Sequence, residues 1–253
     1  DVLSDAMQSV CCGDVIMPLR QFIQIPNTAG KFTLMPGFVG KPASFGVKIV
    51  SKFPREASSP HGTHVGAVMI FDAEHGIPLA MLHGGELTAI RTAAASGLAT
   101  RELARKNAET LTLLGCGEEA QHHLEAMLAV RPLKKIIVWG RSVERAQAFV
   151  DAQNLPATVQ IEVAADAETA VAAADIICTV TSSTSPILKG EWLTPGTHVN
   201  LVGAALRSSA EADTEVVKRS RFYIDYRISA MAQAGELLNA IEQGAITQEH
   251  IIG

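Results

Sequence analysis

One stretch, Thr110 to His123, constrains the fold more than any other. It reads Thr-Leu-Thr-Leu-Leu-Gly-Cys-Gly-Glu-Glu-Ala-Gln-His-His. An apolar run ends in Gly115-Cys116-Gly117, and a segment rich in helix formers begins at Glu118. The pattern predicts a strand, a tight turn and a helix that buries its first turn against the strand. The spacing of Gly115, Gly117 and Ala120 matches G-x-G-x-x-[G/A], in which each small residue has its own task. Gly115 allows the sharp turn, Gly117 lets backbone approach a pyrophosphate, and Ala120 allows close packing of helix on strand. The N–H groups at the helix start, from Cys116 through Glu118 and Glu119, would then face the phosphates.

A Gly-rich strand-to-helix turn also arises for purely structural reasons, so its surroundings matter. A second apolar run, Lys135 to Trp139, follows one helix later, and Ser142 to Ala152 reads as a further helix. The turn therefore sits where a βαβ unit requires it. The end of the second strand bears on which dinucleotide fits. An NAD site usually places Asp or Glu there to accept from both ribose hydroxyls. Here the sequence is Gly140-Arg141-Ser142, with no acid before Glu144. A guanidinium and a hydroxyl suit a 2′-phosphate, through charge-assisted hydrogen bonds. The expectation is NADP(H), with NAD(H) possible; the plainer alternative is a solvated Arg opening an exposed helix.

Taken in order, Asp1 to Ser9 reads as the end of an amphipathic helix, and Met17 to Pro26 holds Arg20 in an extended stretch. Lys31 to Pro36 and Ser44 to Lys52 read as strands. Val65 to Phe71 and Ile77 to Leu82 form a hairpin around the turn Asp72 to Gly76. Glu86 to Leu103 is Ala-rich and helical. After the nucleotide turn, strands are expected at Gln160 to Val163, Ile176 to Val180, His198 to Val202 and Phe222 to Ile224. Helices are expected at Glu168 to Ala174 and Ser229 to Gln243. Strands alternating with helices imply a parallel sheet covered on both faces. The predicted class is α/β: a Rossmann doubly wound parallel sheet at 105–245, preceded by a mixed α+β substrate-binding and dimerisation domain at 1–104. Residues 246–253 would open a C-terminal return segment that is cut short.

Composition excludes several classes. A net charge of −5 and the lack of any basic run give no case for nucleic acid or an anionic membrane surface. No window has the apolar length needed to cross a bilayer. Cys11, Cys12, Cys116 and Cys178 have neither metal spacing nor the density of a disulfide framework, so no metal is expected and a reducing cytoplasm fits.

Upstream of the nucleotide motif, Arg20, Lys48 and Arg91 sit in apolar or tight surroundings. Lys48 lies between Gly46-Val47 and Ile49-Val50, so in a strand buried on both faces its ammonium needs a partner. Each cation could instead snorkel to the surface. Two Arg and one Lys together would suit a substrate carboxylate, and a lysine beside it could move a proton at a substrate nitrogen.

These segments resemble the ornithine cyclodeaminase/mu-crystallin family over essentially the whole chain. The resemblance is carried by Val47 to Val50, by Pro60 to Asp72 with His64, and most specifically by Leu87 to Ser96. The Gly115 turn, Ala174 to Thr181, Pro186 to Leu188 and His198 to Gly203 carry it further. It implies a two-domain homodimer, with Arg20, Lys48 and Arg91 at the substrate carboxylate and Lys48 also a proton-transfer residue. It further implies Thr92 and the Gly115–Ala120 turn at the cofactor phosphates. Thr179, Val180, Thr181, Val202 and Gly203 would lie near the ribose and nicotinamide.

Two departures stand out. Cyclodeaminases of the family carry an Asp shortly after the strand ending in Val202-Gly203; this chain has Ala204-Ala205-Leu206-Arg207-Ser208-Ser209 there, with no carboxylate before Glu211. The chain also stops at Gly253, where relatives continue. The first departure and Arg141-Ser142 favour the reductase branch, acting on a small cyclic ketimine carboxylate. Ornithine cyclodeamination, open-chain amino-acid dehydrogenation and a non-catalytic NADP-binding role are the alternatives.

Overall fold

The computed structural model describes residues 2–54 and 64–253. The Pro60 to Thr63 part of the resemblance lies outside them, and His64 is described only as backbone. The chain divides into two compact units, Asp1–Arg91 and Thr92–Gly253.

The first unit opens with helix α1 (Val2–Cys12) and strands β1 (Val15–Ile16) and β2 (Gln21–Gln24). Four longer strands follow: β3 (Lys31–Gly40), β4 (Ala43–Lys52), β5 (His64–Asp72) and β6 (Pro78–His83). They form an antiparallel sheet of order β1-β3-β4-β5-β6, with β2 also paired to β3. The β5–β6 turn is built by Asp72, whose carboxylate accepts from the N–H groups of His75, Ile77 and Glu74 at 2.7, 3.0 and 2.9 Å. The His75 N–H foremost holds that carboxyl below its ordinary range. Helix α2 (Gly84–Leu103) follows β6 without a loop. Gly84 lies so close to β5 that a Cβ there would meet the Gly66 carbonyl carbon at 2.7 Å.

The second unit is a parallel sheet of β7 (Thr110–Leu114), β8 (Lys135–Trp139), β9 (Gln160–Val163), β10 (Ile176–Thr179) and β11 (His198–Leu201). Its spatial order, β11-β10-β7-β8-β9, reverses between β7 and β10. That is the Rossmann order, with its switch point between these two strands. Period-2 alternation sends Leu111, Leu113, Ile136, Val138, Ile176 and Cys178 into one core, with Leu124 and Met127 of α3 (Glu118–Val130) and Phe149 of α4 (Val143–Asp151). Leu114, Ile137 and Ile177 enter the opposite core, with Ala170 of α5 (Ala167–Val171) and Val216 of α6 (Thr214–Arg219). The sheet is thus covered on both faces, as its alternating apolar runs require.

Two sequence expectations fail here. Phe222 to Ile224 is not a strand of the sheet: Phe222 makes a single bridge to Ile251, and the terminal residues take its backbone groups. Ser229 to Gln243 is not one helix but two, α7 (Arg227–Gln233) and α8 (Gly235–Glu242). Ala234 is extended between them, because Gly235 backs directly onto the Ser209 carbonyl. Among the described residues, no helix is long and apolar enough to cross a membrane.

Candidate functional site

In the parallel-sheet unit the two motif glycines differ in kind. Gly115 has φ +127°, and a Cβ there would meet the Val180 carbonyl oxygen at 2.7 Å. It is glycine because β7 and the end of β10 meet at the switch point. Gly117 has φ −103°, and a Cβ on it would meet nothing within 4 Å. The chain's own packing does not require glycine there; open backbone does. Ala120 is wholly buried, as close helix–strand packing demands. Gly117 caps α3 without a side-chain hydrogen bond, whereas Ser142, Asp166 and Asp213 cap α4, α5 and α6. The turn therefore keeps backbone donors and space where a pyrophosphate would approach, and the residues fit the dinucleotide. Cys116 lies over Gly140, Glu118 is exposed, and the Glu119 carbonyl accepts from His123 Nδ1 at 2.7 Å.

His123 is buried beneath this helix start, its Nε2 3.0 Å from the Ser96 hydroxyl. With Nδ1–H committed to the carbonyl, Nε2 accepts from Ser96, and burial holds the ring's pKa below its ordinary value. Buried Arg131 closes the C-terminus of α2, donating to the carbonyls of Thr100, Arg101, Ala104 and Arg105.

At the end of β8, Arg141 is exposed. The Ser142 hydroxyl accepts from the Arg145 N–H at 3.2 Å and donates to Glu144 Oε2 at 2.7 Å. That hydrogen bond, first among its causes, lowers the pKa of Glu144. The turn thus presents an exposed guanidinium, while the Ser142 hydroxyl is taken up by Glu144 and the Arg145 N–H.

The ends of β10 and β11 meet on a residue the sequence reading passed over. Glu211 is fully buried. One carboxylate oxygen accepts from the Thr181 N–H and hydroxyl, both at 2.6 Å. The other accepts from the Thr179 hydroxyl at 2.8 Å and the Gly203 N–H at 2.6 Å. The Thr179 side chain and the Gly203 N–H, both expected at the cofactor, are thereby committed to Glu211. Val180 is buried between the two threonines, and Val202 is partly buried in the core. Glu236 accepts from the Glu211 N–H at 2.7 Å; burial, then the neighbouring Glu211 charge, push its pKa up. The only local signal for Glu211 was an acid flanked by Ala210 and Ala212. In the preceding loop, Arg207 is tied to Asn239 at 2.7 Å and Glu242 at 2.5 Å.

In the antiparallel unit, Lys48 is partly buried on β4. Its Nζ donates to the Thr88 hydroxyl on α2, and that hydroxyl donates in turn to the Gly84 carbonyl. Lys48 opposes Met35 and Val68. Gln21 opposes Leu34, and Arg20 immediately precedes β2. On α2, Arg91 and Thr92 follow Thr88 by three and four positions, on the face that meets Lys48. Lys48 of β4 and Thr88 of α2 thus meet, with Arg91 about one helical turn beyond Thr88.

Comparison with known proteins identifies the family of the chain. The family model described as ornithine cyclodeaminase/mu-crystallin family matches residues 1–252. Ketimine reductase mu-crystallin of Mus musculus is 33% identical over 228 residues, 89% of this chain and 71% of that protein. A Delta(1)-pyrroline-2-carboxylate reductase of Bacillus cereus is 35% identical over 240 residues, 94% of this chain and 74% of that protein. Among solved structures, Thermococcus litoralis Delta(1)-pyrroline-2-carboxylate reductase in complex with NADH and L-proline superposes with a TM-score of 0.93 at 29% identity. That match covers 98% of this chain and 77% of the other.

Proposed function

The chain belongs to the ornithine cyclodeaminase/mu-crystallin family, and on that premise we propose that it reduces a small cyclic ketimine carboxylate to an L-amino acid. The observation that carries the reading is the held lysine: Thr88 fixes Lys48, with Arg91 one turn further along α2 and Arg20 just ahead of β2. Arg20 and Arg91 clamp the substrate carboxylate in a charge-assisted fork. Lys48 orients the C=N bond and gives a proton to its nitrogen, while Thr88 fixes the ammonium. A bound reduced nicotinamide supplies the hydride for the imine carbon. Hydride to carbon and proton to nitrogen together complete the amine.

The dinucleotide is held by the N–H groups at the start of α3, from Cys116 to Glu119, with Thr92 as a further phosphate contact. NADPH is preferred over NADH because Arg141 is exposed at the end of β8. Arg141→Ala should weaken NADPH by about tenfold and leave NADH unchanged, as loss of one charge-assisted contact predicts.

The working assembly is a homodimer formed through the antiparallel sheet. Ile23, Phe45, Val65, Leu79 and Met81 are exposed on the face opposite Lys48. The four free thiols suit a reducing cytoplasm.

The test is NADPH oxidation with pyrroline- or piperideine-2-carboxylate by wild type and Lys48→Met, against an NADH control. The variant should bind cofactor normally and lose about a hundredfold in turnover, the usual scale for a general acid. Full turnover in Lys48→Met would remove that lysine from the mechanism. Proline and ammonia from L-ornithine, with no ketimine reduction, would replace the reaction itself.

A further inference from the structure

Building on the dinucleotide site, we propose that Glu211 positions the nicotinamide half of the cofactor, acting through Thr179, Thr181 and Gly203. The argument starts from what the side chain bonds. Each carboxylate oxygen receives one backbone N–H and one threonine hydroxyl. An N–H can only donate, so both oxygens act as acceptors, the pattern of a carboxylate. A buried carboxylate is costly unless satisfied, and here the donors that satisfy it sit at the carboxyl ends of two adjacent parallel strands.

Those ends are where a Rossmann sheet receives its ligand. The β7-α3-β8 unit takes the ADP half, so the other half crosses the switch point to β10 and β11. Val180, between the two threonines tied to Glu211, presents the carbonyl that presses on Gly115. Gly203 is equally constrained: a Cβ there would meet the Thr181 carbonyl oxygen, and Glu211 Cδ at 2.6 Å. Glu211 thereby sets the crevice wall on the nicotinamide side. The adenine side, built from Gly115, Gly117 and Arg141, makes no hydrogen bond to it among those described. Glu236 supports the arrangement by accepting from the Glu211 N–H.

The test separates the two halves of the ligand. Wild type, Glu211→Gln and Thr179→Val are titrated calorimetrically with two matched pairs: NADH against ADP-ribose, and NADPH against 2′-phospho-ADP-ribose. Each fragment keeps both riboses and lacks only the nicotinamide ring. Glu211→Gln should weaken the whole dinucleotide by about tenfold and its fragment by less than about twofold, the effect of one misplaced hydrogen-bonded anchor. Thr179→Val, which keeps the carboxylate and removes one donor, should show the same selectivity at about threefold. It decides the matter if Glu211→Gln fails to fold. Equal losses for dinucleotide and fragment, or no loss in either, overturn the positioning role alone. A wild type that binds neither member of either pair overturns the dinucleotide reading and this inference with it.

Discussion

The two sheets handle apolar surface in opposite ways. In the parallel sheet, β7 and β10 are buried at nearly every position and β8 at its centre, and the large exposed apolar residues around it are few. In the antiparallel sheet, Val50 and Thr33 are among the few buried side chains, while Met81 is 74% exposed and Leu79 59%. Helices on both faces complete the first sheet within its own unit. The second carries Lys48 on one face and, among the described residues, exposes Phe45, Val65 and Met81 on the other. A parallel sheet carries its own cover; this antiparallel one leaves large apolar side chains exposed.

The sharpest way to break that contrast is through the self-contained sheet. Gly115→Ala forces a Cβ against Val180 at a positive φ. It should destabilise the protein by about 3 kcal/mol and lower Tm by roughly 6–12 °C. Gly117→Ala, in open space, should leave the melting curve in place while dinucleotide affinity falls; equal melting losses in the two would erase the distinction between the glycines. Next in size, Leu79→Lys with Met81→Lys should dissociate the assembly in analytical ultracentrifugation and leave dinucleotide binding untouched. A wild type already monomeric at micromolar concentration would show that the open face needs no cover.

Smaller effects sharpen the comparison by pH. Burial lowers the pKa of both His123 and His198 below the unfolded value. Their contribution is therefore complete above about pH 6.5 and is lost as pH falls through the folded values. Thermal melts should weaken on acidification below that point, and less so in His123→Asn. Glu236 has the opposite sign, since burial raises its folded pKa above 4.5. Its contribution is present below that value and fades as pH rises, so Glu236→Gln should raise Tm slightly at pH 8 and not at pH 4.

Local pattern made much of this legible. The Thr110–His123 turn, the Asp72–Gly76 hairpin and the alternating strands are encoded by residues within a few positions of one another, and they stand where the sequence placed them. The α7–α8 break was not legible, because its cause is the Ser209 carbonyl, distant in sequence from Gly235. Glu211 stayed hidden for the same reason: its bonds to Thr179 and Thr181 span about thirty residues. Lys48 lies between. Its apolar neighbours signalled that it needs a partner, and forty residues of chain separate it from Thr88.

The reversal of strand order between β7 and β10 also divides the cofactor crevice in time. The adenine-side wall comes from one continuous run, Thr110 to Ser142, whose contacts can form soon after that run leaves the ribosome. The other wall waits for β10 to enter beside β7, for Glu211 to gather Thr179, Thr181 and Gly203, and for Glu236 to close behind it. A nascent chain halted near residue 205 would hold the pyrophosphate turn but lack the carboxylate that fixes the opposite wall.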